Sequence, residues 1–140
     1  MNLEREEVKN YITMPRQKRH PVLIALGSNQ QAAIRMAEAA DRLMSLLSNV
    51  ECSRAIHTLP MGIDSPPFLN SLVRGYTQLS AKELEKELKT MEHQLGRTDE
   101  DKQRGIIAID ADLLRYDDRR FHEKDWERPY IKELINEFKE

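Results

Sequence analysis

Residues 106–116 read IIAIDADLLRY, a run apolar enough for a protein core that nevertheless carries Asp110 and Asp112 two positions apart. In a β-strand, alternate side chains leave opposite faces. Ile107, Ile109, Ala111 and Leu113 then make one uninterrupted apolar face, and Asp110 and Asp112, flanked by Ala108 and Leu114, make the other. The two carboxylates stand about 6–7 Å apart at Cα and aim the same way. Like charges at that separation repel, and burying either one unpaired is costly. The pair therefore either faces water as a solvated strand face or shares a positive partner. Hard oxygen ligands with no histidine or cysteine close by in sequence favour Mg²⁺ as that partner.

Working outward, the polar stretch RTDEDKQRG (97–105) reads as the loop that leads into this strand. Before it, Ser80 and Glu83 form a capping box, and Leu84, Leu88, Met91 and Leu95 make the apolar stripe of the helix it starts. Gly96 is placed to end that helix in the left-handed conformation. FLNSLVRGYTQL (68–79) and VECSRAIHT (50–58) read as strands separated by a loop rich in Pro and Gly, LPMGIDSPP. Residues 30–48 place Met36, Ala40, Leu43 and Leu47 on one helical face, with Ser28 or Asn29 as its cap. PVLIAL (21–26) is a buried strand, and Pro129 opens a terminal helix over YIKELINEF. The order strand, helix, strand, strand, helix, strand predicts an α+β, ferredoxin-like βαββαβ fold. Its antiparallel sheet has helices on one face and leaves the other free for a site. Residues 1–20, with apolar Leu3, Val8, Tyr11 and Ile12 before a basic PRQKRH, read as an extension outside a domain spanning 21–140.

Composition narrows the function. The 140 residues suffice for one domain with a real core. Lys and Arg number 22 against 24 Asp and Glu, a formal net charge of −2 that gives no support to non-specific nucleic-acid or membrane-surface binding. Aromatics make up only 6%, too few for stacking platforms along a single strand of nucleic acid. The single cysteine, Cys52, suits a reducing compartment. No apolar run reaches membrane-spanning length, and the N-terminus is charged too early for a signal peptide. The expected address is the cytoplasm, with neither nucleic acid nor membrane expected as a partner.

Five segments in order, LIALGSN (23–29), HTLPMG (57–62), PPFLN (66–70), MEHQLGR (91–97) and IDADLLRYDD (109–118), make the chain resemble the 6-hydroxymethyl-7,8-dihydropterin pyrophosphokinase family. The resemblance implies transfer of pyrophosphate from ATP to a pterin alcohol in folate biosynthesis, on a ferredoxin-like fold. It implies that Asp110 and Asp112 hold two Mg²⁺ ions against the ATP phosphates, which would supply the missing positive charge. It further implies a pterin pocket built from Thr58, Leu59, Met61, Phe68 and Asn70. A ring beside an amide that both donates and accepts suits a flat, hydrogen-bonding heterocycle. Glu92, Arg97 and Leu113 match positions near the nucleotide. His122, Arg128 and Tyr130 reproduce the spacing of a family histidine, arginine and aromatic, the first two implied to meet ATP phosphates and Tyr130 to close over the pterin.

One departure stands out. In the loop before the aspartates the family carries an arginine that reaches the phosphates, and the matching stretch here is Gln103, Arg104, Gly105, Ile106, Ile107. The arginine position is Ile107, and Asp99 replaces a second basic residue. Arg104 is the expected substitute, beside the retained Arg97. Loss of one preorganised cation from a phosphoryl clamp costs on the order of a hundredfold in rate. Two alternatives to a working enzyme follow. One is a relative that binds pterin or nucleotide without turnover. The other is a ferredoxin-like interaction module, whose acids would lie away from any cleft and whose Phe68 would be core.

Overall fold

β1 (His20–Ser28) sends Val22, Ile24 and Leu26 into one apolar cluster and Leu23 into another on the opposite side. A strand buried on both faces belongs in the middle of a sheet, and that is where it lies. The computed structural model of the protein describes residues 19–60 and 65–138. After β1 the chain forms α1 (Ala32–Leu46), β2 (Ser48–Cys52), β3 (Ile56–Thr58), β4 (Phe68–Thr77), α2 (Ala81–Gln94), a short α3 (Asp99–Gln103), β5 (Asp110–Tyr116) and β6 (Arg119–Arg120). A 3₁₀ turn at Glu123–Glu127 leads to α4 (Pro129–Ile135). The strands lie in the order β2-β4-β1-β5-β6, with β3 also on β4 and every pairing antiparallel. With β2 and β3 taken as one interrupted strand, this is the expected ferredoxin-like α+β arrangement. Residues 1–18 of the predicted extension fall outside the described residues, as does Met61.

The interruption has a local cause. Ser53 donates its N–H to the Leu72 carbonyl and accepts the Leu72 N–H on its hydroxyl, both at 2.8 Å. A side-chain oxygen thus replaces a ladder carbonyl, so the predicted 50–58 strand breaks at 53–55. The predicted cap of α1 is also corrected: Gln31, in the left-handed region at φ 46°, precedes the helix with no side-chain cap, and Asn29 is engaged elsewhere. Met36, Ala39 and Leu43 are the helix's buried positions, so the stripe leans onto Ala39 rather than Ala40. In α2 the Ser80–Glu83 capping box is formed, Leu84, Leu88 and Met91 are buried with Leu95 just beyond them, and Gly96 takes φ +107°. The polar loop is not wholly irregular, because Thr98 accepts the Asp101 N–H and starts α3.

β5 begins at Asp110, later than the apolar run suggests, but its faces divide as expected. Ile109, Ala111 and Leu113 join α1 and α2 in the main core. The second face is not left open. Leu23, Leu72 and Leu114 project from it, and Trp126, Ile131 and Leu134 of the C-terminal segment cover them. Each large apolar side chain so buried contributes about 1.5–3 kcal/mol, which leaves this trio strongly in need of cover. The cover stops short of the ends of the sheet, and the acidic pair sits at one of those ends. No helix among the described residues is long and apolar enough to cross a membrane.

Candidate active site

Three strand ends converge beside the acidic pair. Gly27 of β1 is the Cα partner of Asn70 on β4 and of Asp110 on β5, and Ala25 is the partner of Asp112. Asn70, Gly27 and Asp110 therefore form one row across three strands, its outer members about 10 Å apart. Gly27 supplies a floor without a side chain: a Cβ there would stand 3.1 Å from Asn70 Oδ1 and 3.8 Å from the Phe68 ring. Thr58, Leu59 and Pro60 wall the row on one side, and Asp125, Arg128 and Tyr130 wall it on the other. The enclosed cleft has a volume of about 360 Å³.

Thr58, Leu59, Phe68 and Asn70, four of the residues expected to bind a ring, line one half of the cleft. Phe68 and Asn70 share the cleft face of β4, and Asn70 is almost fully buried. Its Nδ2 donates to Thr58 Oγ1 at 2.7 Å, which fixes the amide's orientation. Leu59 stands at the rim, 80% exposed, an apolar side chain that only a ligand or a moving loop would cover. Because both the acids and Phe68 line the cleft, the interaction-module reading loses the placement it required.

The acidic half is crowded. Asp110 and Asp112 face the cleft, Glu92 lies beneath them at 2% exposure, and one carboxylate oxygen from each falls within 4.8 Å of the others. Arg97 is their shared counter-ion, at 2.7 Å from Asp110 and 3.2 Å from Glu92. Glu92 also accepts the Ala111 N–H at 2.8 Å, tying α2 to the aspartate strand. Burial, then the neighbouring Asp110 carboxylate, pushes the Asp112 pKa up to about 7. Burial likewise raises Glu92, although the Ala111 N–H and Arg97 oppose it. Burial alone would lower the Arg97 guanidinium, but its bond to Asp110 and the charge of Glu92 outweigh that and hold it above its usual range. Three hard carboxylates with too little positive charge among them fit a divalent cation, whose binding would relieve their repulsion.

Asp112 also gives a pH prediction. A carboxyl whose folded pKa lies above its unfolded value of 3.8 stabilises the fold below that value and loses this contribution as pH rises through about 7. Metal-free protein should lose this stabilisation as pH rises from about 4 towards 7, and Asp112→Asn should flatten that part of the profile. Mg²⁺ should raise the melting temperature more at pH 8 than at pH 6, where a proton has to leave first. Thermal denaturation at fixed ionic strength, with Mg²⁺ or with a chelator, reads both effects.

The other candidate residues divide clearly. His122, left-handed at φ 55°, brings Nε2 to 4.0 Å from Asp112 Oδ1. Arg128 and Tyr130 line the cleft, Arg128 Nε lying 3.2 Å from Asp125 Oδ1, and burial raises the Tyr130 phenol. The spaced C-terminal trio is thus assembled around the acids. Leu113 is not: its side chain is in the main core, on the face opposite Asp112. Nor is Arg104, which reaches back to Asp101 at 2.9 Å on an exposed loop, because a partner three residues away in α3 is nearer than the cleft. Glu92 does not line the cleft: it is buried beneath the two aspartates, where it pairs with Arg97. Sequence reasoning passed over Gly27, Asp125 and Asn29. Asn29 is the most informative: its Nδ2 donates to the Gly105 carbonyl, its Oδ1 accepts the Ile107 N–H, both at 2.7 Å, and its N–H donates to the Ile107 carbonyl at 3.0 Å. A buried asparagine after a strand has one visible signal, the GSN tripeptide, which reads equally well as a helix cap.

Clustered carboxylates beside a ring and an amide, at one end of a ferredoxin-like sheet, are the parts that metal-dependent phosphotransfer to a small molecule requires. The chain belongs to the 7,8-dihydro-6-hydroxymethylpterin-pyrophosphokinase (HPPK) family, whose model matches residues 23–139. It is 35% identical over 121 residues to a folate synthesis bifunctional protein of Arabidopsis thaliana, covering 79% of this chain and 25% of that protein. To the 2-amino-4-hydroxy-6-hydroxymethyldihydropteridine pyrophosphokinase of Haemophilus influenzae it is 34% identical over 97 residues, covering 66% of this chain and 60% of that protein. A folate synthesis bifunctional protein of Chlamydia trachomatis is 32% identical over 133 residues, covering 81% of this chain and 29% of its own length. The chain thus spans about a quarter of the length of its bifunctional relatives.

Proposed function

We propose that this protein transfers pyrophosphate from ATP to 6-hydroxymethyl-7,8-dihydropterin. The observation that carries the reading is the row Asn70–Gly27–Asp110, which puts the Phe68 and Asn70 face of the cleft directly beside Asp110 and Asp112. In this reading Phe68 and Tyr130 hold the ring, Asn70, pre-oriented by Thr58, reads its edge, and Asp110 and Asp112 hold two Mg²⁺ ions. Mg²⁺ held there would neutralise charge on the triphosphate. In this reading Arg97, held between Asp110 and Glu92, supplies a preorganised positive charge behind the acids for the transferring group. His122 and Arg128 reach the same edge for the remaining phosphate oxygens. A monomer or weak dimer in the cytoplasm agrees with this reading and with the exposed Cys52 thiol. AMP release from ATP, measured with and without the hydroxymethyl pterin and Mg²⁺, is the test. Neither turnover nor binding of either substrate would dispose of the proposal.

A second reading, binding without efficient turnover, rests on Ile107 and on the engagement of Arg104 with Asp101. The backbone of Ile107 is clamped on both its N–H and its carbonyl by Asn29, so an arginine placed there starts from a fixed point. Ile107→Arg is expected to raise kcat by about 10–100-fold with little change in pterin affinity. Steady-state AMP release and calorimetry with the pterin separate the two quantities. An unchanged rate would show that this loop position is not what limits turnover.

A further inference from the structure

A second cavity, of about 250 Å³, opens on the cleft side of the sheet at the opposite end of the strands. Its lining shares no residue with the first. Arg115, which faces it, lies five residues along β5 from Asp110, about 16 Å away. Leu23, Leu72 and Leu114, covered by α4, fill the sheet between the two. Glu51, Arg74, Leu23, Arg115 and Arg120 are successive Cα partners across β2, β4, β1, β5 and β6. One row of the sheet thus carries three arginines and a single acid, in a chain whose net charge is −2. Like charges directly opposite one another on neighbouring strands are destabilising, which makes the Arg115–Arg120 pair a cost without an evident return.

The members of the row differ in how they are held. Arg74 is committed, with Nε and Nη2 at 3.1 and 2.9 Å from Glu51 Oε1 and Nη1 at 2.9 Å from the Phe138 carbonyl. Arg120 rests on the Trp126 ring, 4.1 Å from its centre. The Arg115 side chain lines the cavity and makes no hydrogen bond or ion pair among the described residues. A β-bulge between Ser48 and Glu51, with Asn49 left-handed at φ 53°, interrupts the ladder beside Arg74 and opens the hollow. Arg19, over the Tyr76 ring at 5.8 Å, adds a further cation at its edge.

We propose that this cavity is a binding site for a phosphate group, free or as a small monoester. Arg115, unpaired among the described residues, supplies the forked donors, and Arg74 supplies the opposite wall together with Glu51, whose charge it already neutralises. An occupant would neutralise the Arg115–Arg120 repulsion. The test uses the full chain in a chelator, with backbone amide spectra recorded during separate titrations of inorganic phosphate and ribose 5-phosphate against a chloride blank of equal ionic strength. The expected result is saturable shifts at Asn49, Gly75 and Arg115, at least tenfold weaker in Arg115→Ser and a few-fold weaker in Arg115→Lys, with AMP release unchanged in both variants. Tighter binding of the ester identifies a phosphorylated metabolite as the ligand, and equal binding identifies free phosphate. Shifts that chloride reproduces, that fall only on Gly27, Asp110 and Arg128, or that persist undiminished in both variants overturn the proposal.

Discussion

Asp112→Asn is expected to lower Mg²⁺-dependent AMP release by about 10³-fold while leaving the metal-free protein more stable than the parent above pH 7. The two effects share one cause. Burial and Asp110 raise Asp112 to about 7, so its charged form is the unfavourable member of the cluster until a cation joins it. An amide of the same shape removes the repulsion and, with it, a hard anionic ligand. Asp110→Asn differs in a way that checks the reasoning, because it strips Arg97 of its 2.7 Å partner and should lose stability instead. Melting curves and steady-state rates over a range of Mg²⁺ concentrations distinguish the two variants. An Asp112→Asn protein that kept its rate would place the metal site elsewhere.

Arg97→Met is expected to cost about 3–5 kcal/mol, a fall in melting temperature of about 10–20 °C, besides its effect on turnover. Arg97 is only 14% exposed and Glu92 2%, so its removal leaves Glu92 with the Ala111 N–H and a solvent-facing Lys89 at 3.5 Å. Since burial already raises Glu92, losing Arg97 raises it further, and the variant should be weakest at high pH. Adding Glu92→Gln should recover most of the stability, because the stranded charge is gone, yet little of the rate, because the phosphate-side cation is still missing. Recovery of both would confine Arg97 to a structural role.

Under the proposed reaction, Arg97 and position 107 are the two places from which a loop or helix cation would meet the phosphates. One cation is retained and locked beneath the acids, whereas the position that would bring a second from the loop carries an isoleucine. Its backbone is nonetheless still held by Asn29. Because the backbone at 107 is fixed, Ile107→Arg tests the second reading more sharply than removal of a cation elsewhere.

What the sequence determined by itself is the set of features that depend on neighbours within a turn or along a strand. The Ser80–Glu83 capping box, the Leu84–Leu88–Met91 stripe, the glycine stop at 96 and the common face of Asp110 and Asp112 all follow from local geometry, which no distant contact overrides. Only the tertiary structure decided where competing partners were taken. Asn29 is equally fit to cap α1 or to clamp a loop, and it meets Gly105 and Ile107, some 76 to 78 residues on. Arg104 is equally fit for phosphate or for Asp101, and the nearer carboxylate holds it. The second face of the sheet, open on paper, is closed over its leucines by a tail whose polarity hid Trp126, Ile131 and Leu134 as a set. Closure of that face also brings His122, Arg128 and Tyr130 to the acids, an outcome that strand periodicity does not encode because it depends on packing between residues far apart in the chain.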